Sequence, residues 1–321
     1  MKPKILVVGS LVMDLIVSSE RFPESGESVI GFDFNIAAGG KGANQAVQAS
    51  RLGAEVTMVG KVGNDSFGRE LLDSVSASGV DISHITVTGE APSAIGNVQL
   101  EVTKSRTANR IVVVPGANMK LTAEDVSFLK DGIAGFDMVI LQLEIPMEIN
   151  MLVAEYAYNM NVPVMLNSAP YSPIPEKLYS YLTYISPNEH EAADMTGIRI
   201  IDDKTVKTAA DSILQKGVKN VIITLGSKGA VIANKNEFLQ SPCVPDAAVK
   251  DPTAAGDSFV AAFCTAVCSG TTHQQALQFA NHTAAITVSA MGAQPSLPEI
   301  DAVLELMQNM KIESNIFQSL R

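Results

Sequence analysis

The chain is expected to adopt an α/β fold: a doubly wound, mostly parallel sheet with helices on both faces, plus a small β-sheet lid. Three observations carry this expectation. Residues 4–8 (KILVV), 55–59 (EVTMV), 137–141 (DMVIL), 162–166 (VPVML), 183–186 (TYIS) and 219–224 (KNVIIT) read as buried strands. Between them, 42–52, 67–78, 122–131, 147–160 and 203–216 carry helical spacing, and 255–309 is helix-rich. Thr122 and Asp125 form a capping-box pattern before one of these runs. Alternation of this kind winds helices onto both sides of a parallel sheet. Thirdly, 27–36 alternates, with Phe32, Phe34 and Ile36 on one face, and 94–103 and 109–114 read as extended. No crossover helix separates these neighbouring members, so they predict a small antiparallel sheet serving as a lid. The organisation is then one α/β domain over 1–311, with lid strands inserted at about 15–38 and 92–114, and a C-terminal tail at 312–321. The apolar lid face calls for a partner, which predicts a homodimer through the lid.

Composition narrows the function classes. Hydrophobic residues make up 46% and charged residues 18% of 321 positions, the balance of a packed core rather than a disordered chain. The formal net charge of -11 argues against nucleic-acid and anionic-membrane partners, so an anionic ligand must be held by local donors. Cys243, Cys264 and Cys268 are too few for a disulfide framework, and no Cys/His set completes a zinc site. The N-terminus lacks the pattern of a signal peptide, and the apolar runs are strand-length, so a soluble cytoplasmic protein is expected. The dinucleotide GxGxxG, the Walker-type P-loop and the GxSxG elbow are all absent.

Four motifs have the residue types of a binding site. Lys250 to Phe259 (KDPTAAGDSF) places the small residues Ala254, Ala255 and Gly256 directly before an apolar helix. The backbone there can approach a ligand closely, and a helix N-terminus offers unpaired N–H groups to an anion. Asp257 beside such a hole can accept the proton of an attacking hydroxyl, or can simply be an acidic residue in a first helical turn. Ala38 to Ala46 (AGGKGANQA) surrounds Lys41 with glycines and leads to Asn44, a set of donors suited to a polyol, or a flexible Gly-rich loop. Asn188 and Glu191 (PNEHE) share a face if a helix starts there; they can orient hydrated Mg²⁺ beside phosphates, or cap a surface helix. Thr224 to Gly229 (TLGSKG) follows a strand as either a nucleotide-binding turn or a hairpin loop.

Together these motifs resemble the ribokinase-like sugar kinases, the pfkB carbohydrate kinase family. AGGKGANQA followed by KVGNDSFG at 61–68 resembles the first family signature, and DPTAAGDSFVAA resembles the second, in the right order. GGKGANQA is particularly similar to the ribokinase and deoxyribokinase branch. The resemblance implies a ribokinase-like fold and ATP-dependent phosphorylation of a sugar's primary hydroxyl. It implies Asp257 as the catalytic base and Ala254, Ala255 and Gly256 as the anion hole. Asp14, Gly40, Lys41, Asn44 and Glu144 fall on sugar-contacting positions. Asn188 and Glu191 match the family's NxxE motif, with Glu191 reaching Mg²⁺ through water. Thr224, Gly226, Ser227, Gly229, Gly256 and Asn281 fall around the nucleotide. A monovalent cation, usually K⁺, is implied beside Asp251, Thr253, Thr287, Ala290, Gly292 and Ser296.

Two positions depart from the pattern. Ribose-specific members have Asn two residues before the sugar-binding Asp, whereas GSLVMD puts Val12 there, as in deoxyribokinases. An apolar side chain there forgoes a hydrogen bond whose loss costs about 1–3 kcal/mol, which puts D-ribose first, 2-deoxy-D-ribose next and another sugar or a nucleoside third, ahead of a non-enzymatic sugar sensor. Asn281 stands where His is frequent, an edge contact that another group can replace.

Overall fold

The computed structural model describes residues 2–103, 107–245 and 247–321. Residues 104–106, between the two predicted strands of the second lid insertion, lie outside the described residues. The strands are β1 (Lys4–Val8), β2 (Val12–Ser19), β3 (Asp33–Gly39), β4 (Glu55–Gly63), β5 (Asp81–Thr88), β6 (Ala94–Val102) and β7 (Thr107–Val114). They continue as β8 (Met138–Gln142), β9 (Val164–Asn167), β10 (Tyr184–Ile185), β11 (Asn220–Thr224), β12 (Ala230–Ala233) and β13 (Phe238–Ser241). The helices are α1 (Lys41–Arg51), α2 (Ser66–Ala77), α3 (Leu129–Gly132), α4 (Met147–Asn159) and α5 (Glu176–Tyr181). They are followed by α6 (Glu189–Thr196), α7 (Asp203–Leu214), α8 (Ala255–Cys268), α9 (His273–Thr287) and α10 (Ile300–Asn309).

The large sheet runs β13-β12-β11-β10-β9-β8-β1-β4-β5 and is parallel from β11 to β5. Its strands are apolar on both faces because both are covered. Ile5 and Val7 pack into one core with α1, α8, α9 and α10, while Leu6 and Val8 pack into the other with α4 and α7. The chain order reverses at β1, which lies between β8 and β4. Ligands of open α/β sheets bind beyond the carboxyl ends of strands at such a switch point. Ser10 follows β1, Glu144 follows β8, Asn167 ends β9, Asn188 follows β10 and Thr224 ends β11.

The small sheet runs β3-β2-β6-β7. Its outer pairs are antiparallel as expected, but the central β2–β6 pair is parallel, so the lid is mixed. β4, α2 and β5 intervene between its two hairpins and supply the crossover that parallel pairing needs. The strand after the first loop starts only at Asp33. Register places Val17, Phe34, Ile36, Val112 and Val114 on one face, all of them exposed, and Phe32 is exposed beside them.

One further expectation, a helix over 122–131, is corrected. Residues 123–128 form turns, with α-helix only over Leu129–Gly132. Asp125 accepts from Thr122 N and Oγ1, but it also pairs with Lys61 Nζ at 2.7 Å and accepts from Thr86 Oγ1, contacts across the chain that hold the segment as turns. The C-terminal residues 312–321 pack on the domain. Phe317 is fully buried and stacks on Phe279 with ring centroids 4.3 Å apart, and Leu320 is buried as well.

Candidate active site

The site is organised by the N-terminus of α8. Ala254, the residue before the helix, holds φ 60° and ψ 5°, a left-handed conformation costing an L-residue about 1–2 kcal/mol. The Ala255 N–H closes a turn onto Pro252 O at 3.2 Å, so of the predicted hole 254–256 its donor is already committed. Gly256 and Asp257 follow in the first turn, where amide groups lack intrahelical partners. A Cβ built on Gly256 would meet no protein atom within 4 Å, so the space over these amides is open.

Asp257 is buried, and two side-chain amides converge on it. Asn44 Nδ2 donates to Oδ2 at 2.9 Å and Gln45 Nε2 to Oδ1 at 3.0 Å. Gln45 Nε2 also reaches Asn167 Oδ1 at 3.1 Å, and its own carbonyl accepts from Gln142 Nε2 at 2.7 Å. Asn44 Oδ1 is buried without a partner, an acceptor left free beside Asp257. Gln45, Gln142 and Asn167 escaped the sequence reading. The one available signal was Gln45 itself, inside AGGKGANQA.

Asp14 and Glu144 complete a carboxylate cluster beside Asp257. Burial pushes the Asp14 carboxyl up to about 7, and the negative charges of Glu144 and Asp257 push the same way. Gly39 and Gly96 leave room for it: a Cβ on Gly39 would stand 2.7 Å from Asp14 Oδ2, and one on Gly96 would collide with Oδ1. Glu144 accepts from Ser10 Oγ and from Lys41 N at 3.1 Å. Gly40, at φ 92°, lets the chain turn into α1 where a Cβ would stand 2.7 Å from Val12 N. Lys41 then faces the cluster. Burial pulls its ammonium down, but Asp257, Glu144 and Glu191 carry it above the usual lysine range. Val12 is buried at the start of β2, on the same face as Asp14.

Two cavities meet over α8. A polar one of about 210 Å³ is lined by Lys41, Asn188, Glu191, Ala254 and Asp257 among others. A largely apolar one of about 510 Å³ is lined by Gly226, Ser227, Gly229, Ala255, Phe259 and Ala284, with Asn281 at its wall. Thr224, Pro252 and Gly256 line both. Asn188 caps α6: its side chain accepts from the backbone of His190 and Glu191, and Glu191 Oε2 accepts from Asn188 N at 2.9 Å. Burial raises the Glu191 carboxyl, against the opposing Asn188 hydrogen bond and Lys41 charge. The Thr224–Gly229 segment links antiparallel β11 and β12, so it is a hairpin connection that also lines a cavity. Asn281 turns its amide into the protein, donating to Ser241 and Pro242 at 3.0–3.1 Å.

The expected cation ligands lie on two loops that Asp251 joins. Its Oδ1 accepts from Thr253 N and its Oδ2 from Gly292 N, each at 2.9 Å. Thr287 and Ser296 turn their hydroxyls onto Thr283 O and Ala293 O, and the Thr287 carbonyl accepts from Ala290 N. One carboxylate amid hydroxyls and carbonyls is a donor set suited to a weakly hydrated monovalent cation. Among the described residues no three His, Cys, Asp or Glu side chains form a protein-only metal cage. The single Glu191 carboxylate suits Mg²⁺ that is bound chiefly by phosphates and water.

Residues 2–300 match the pfkB family carbohydrate kinase model. The chain is 38% identical to a ribokinase of Bacillus subtilis over 303 residues, covering 94% of this chain and 99% of that protein. It is 36% identical to a ribokinase of Haemophilus influenzae, covering 96% and 100%. The structure of an Arabidopsis thaliana ribokinase complexed with ribose and ATP superposes with a TM-score of 0.88 at 34% identity, covering 96% and 99% of the two chains. The family match and the ribokinase relatives, consistent with the fold and the paired cavities, define a phosphotransferase with an alcohol acceptor. The chain belongs to the pfkB family of carbohydrate kinases.

Proposed function

We propose that the chain transfers the γ-phosphoryl group of ATP to the primary 5-hydroxyl of a pentose, converting D-ribose to D-ribose 5-phosphate. The observation that carries this reading is the shared wall of the two cavities. Thr224, Pro252 and Gly256 border both, so an acceptor beside Asp257 and a triphosphate over α8 meet at one helix N-terminus. The ribose and ATP held by the Arabidopsis relative support the choice of sugar and donor.

In this reading Asp14, Glu144 and Asp257 accept hydrogen bonds from hydroxyls of the sugar, and Gly40, Lys41 and Asn44 frame it. The 5-oxygen forms a bond to the γ-phosphorus, the bond from that phosphorus to the β,γ-bridging oxygen breaks, and ADP leaves. The hydroxyl proton passes to Asp257. The amides of Gly256 and Asp257, with the dipole of α8, receive the charge on the transferred group. Thr224, Gly226, Ser227 and Gly229 border the nucleotide, and Asn281 braces the wall of its pocket. Mg²⁺, when bound, neutralises charge on the phosphates, with Asn188 and Glu191 holding its water shell. K⁺ would sit among Asp251, Thr253, Thr287, Ala290, Gly292 and Ser296, where it biases the anion-hole loop electrostatically.

A second reading, 2-deoxy-D-ribose as acceptor, is favoured by Val12. This buried apolar side chain lies beside Asp14 and offers no hydrogen bond to a sugar hydroxyl. Coupled ADP release with Mg·ATP and K⁺ decides between them by kcat/KM. Preference for D-ribose upholds the main reading, equal or better use of 2-deoxy-D-ribose makes Val12 a specificity determinant, and silence with both sinks the pentose assignment.

We further propose that the enzyme is a homodimer. The exposed apolar face of Val17, Phe34, Ile36, Val112 and Val114 fits a second copy of the same face. A solution mass of one chain by light scattering would refute it. The net charge of -11 and three free cysteines support a cytoplasmic enzyme that avoids nucleic acid, and no helix among the described residues is long and apolar enough to cross a membrane.

A further inference from the structure

We infer that Gln45, locked by Gln142, is a positioning residue that sets the orientation of the Asp257 carboxylate. The inference deepens the kinase reading and rests on Asp257 as its base. Gln45 and Gln142 are both fully buried, so neither is available to a sugar or a nucleotide. Asn44 and Gln45 divide the carboxylate between them, one donor to each oxygen. They differ in what else they do. Asn44 keeps an unpartnered carbonyl oxygen and can turn toward a ligand hydroxyl, whereas both ends of the Gln45 amide are engaged.

The direction of the Gln45 amide is dictated by its neighbours. Asn167 Nδ2 donates to Ser186 O at 3.0 Å, so Asn167 turns its carbonyl toward Gln45 and requires an N–H there. The carboxylate requires one too. A flipped Gln45 would present a carbonyl to two acceptors and an N–H₂ to the N–H₂ of Gln142. Gln142 holds the correct sense through the 2.7 Å bond from its Nε2, and it does so although its own Oε1 is left buried without a partner. Asn150 Nδ2 donates to the Gln142 backbone carbonyl at 2.8 Å, which ties that strand end to α4. The donor on Oδ1 therefore persists whether or not Asn44 turns to a substrate. It fixes the plane of the carboxylate, leaving the remaining lone pairs for the acceptor hydroxyl. The charged groups around this carboxylate are Lys41, Asp14, Glu144 and Glu191, and none of them bonds to its oxygens among the hydrogen bonds of the described residues.

The test is the split between kcat and KM for Gln45→Met and Gln142→Met, which keep side-chain bulk and remove the donors, with kcat counted per folded molecule. Gln45→Met is expected to lower kcat about tenfold or more while KM for sugar and for ATP stays within about twofold. Gln142→Met should lower kcat in the same way but less. The double variant should be no worse than Gln45→Met, since Gln142 acts only through Gln45. Gln45→Glu, which replaces the donor with a second carboxyl, should not rescue kcat. A merely structural role would lower the melting temperature and leave kcat per folded molecule at the parental value, and that result, in either single variant that folds, overturns the inference. Asp257→Asn separates the two readings. If it turns over near the parental rate, the base assignment fails; if it is inactive while Gln45→Met keeps the parental kcat, only the role of Gln45 fails.

Discussion

The two cavities that meet over α8 are built from opposite chemistry. The polar side is lined by Lys41, Asn188, Glu191 and Asp257, and beside it lie half-buried Asp14 and Glu144 and buried Asn44, with glycines cut away around Asp14. The donor side is wider, walled by Pro245, Val249, Ala284, Ala285 and Val288, and the amide of its one Asn is turned into the protein. Small polar ligands with many hydroxyls are distinguished by directed hydrogen bonds, because a site left with unpaired buried groups rejects the wrong one strongly. A flat base is held by shape and apolar contact, and its phosphates by backbone donors at a helix start. The difference implies that discrimination is sharp for the sugar and permissive for the base, with α8 as the common reference for both.

This contrast breaks most sharply if one side can be damaged without the other. Gly96→Ala adds a Cβ where Asp14 Oδ1 lies, and the strand backbone cannot yield because Gly96 pairs with both Asp14 and Val113. Displacing Asp14 by about 1 Å should raise the sugar KM about a hundredfold. KM for the nucleotide should stay within about twofold. Ala284→Leu narrows the apolar cavity instead and should raise the nucleotide KM roughly tenfold, equivalent to about 1.4 kcal/mol of overpacking, with the sugar KM unchanged. Steady-state titration of each substrate against both variants checks this. Parallel changes in both constants would mean that the two cavities are not independent.

The same division explains what the sequence made legible. The loops at 38–46 and 250–259 are local: glycines, small residues and a helix start within ten positions announce close backbone approach to a ligand. The two-faced sheet was equally legible, since runs such as KILVV must be covered on both sides. What stayed hidden is what long-range pairing creates. Gln45, Gln142 and Asn167 meet only because α1, β8 and β9 converge at the switch point, and each alone is an ordinary amide. Asp125 looked like a helix cap until Lys61 and Thr86 claimed it from β4 and β5. Phe317 looked like part of a tail because its stacking partner, Phe279, lies on a separate helix. The parallel β2–β6 pair could not be seen from the hairpins on either side of it.

The smallest expected effect tests the electrostatics of the acceptor side directly. Asp14 is held up to about 7 by burial first and by Glu144 and Asp257 after it, while Lys41 is the cation facing the same cluster. The raised value means that the free protein keeps this carboxyl protonated until pH approaches 7. Sugar hydroxyls donate, so the complex favours the ionised form, and binding below pH 7 must release a proton. Sugar affinity should therefore improve about tenfold between pH 6 and pH 8 and level off above, as expected for one proton linked to binding. The nucleotide KM should not follow it. The sign for stability is the reverse: relative to an unfolded value of 3.8, this group favours folding most at low pH, and that contribution is lost as pH rises through about 7. Asp14→Asn should flatten the pH dependence of sugar binding and raise the melting temperature of the free protein at pH 8 relative to the parent. Calorimetric titration in two buffers of different ionisation enthalpy would count the released proton. A sugar affinity that is flat from pH 6 to 8 would mean that Asp14 is already ionised in the free site and that Lys41 outweighs its two carboxylate neighbours.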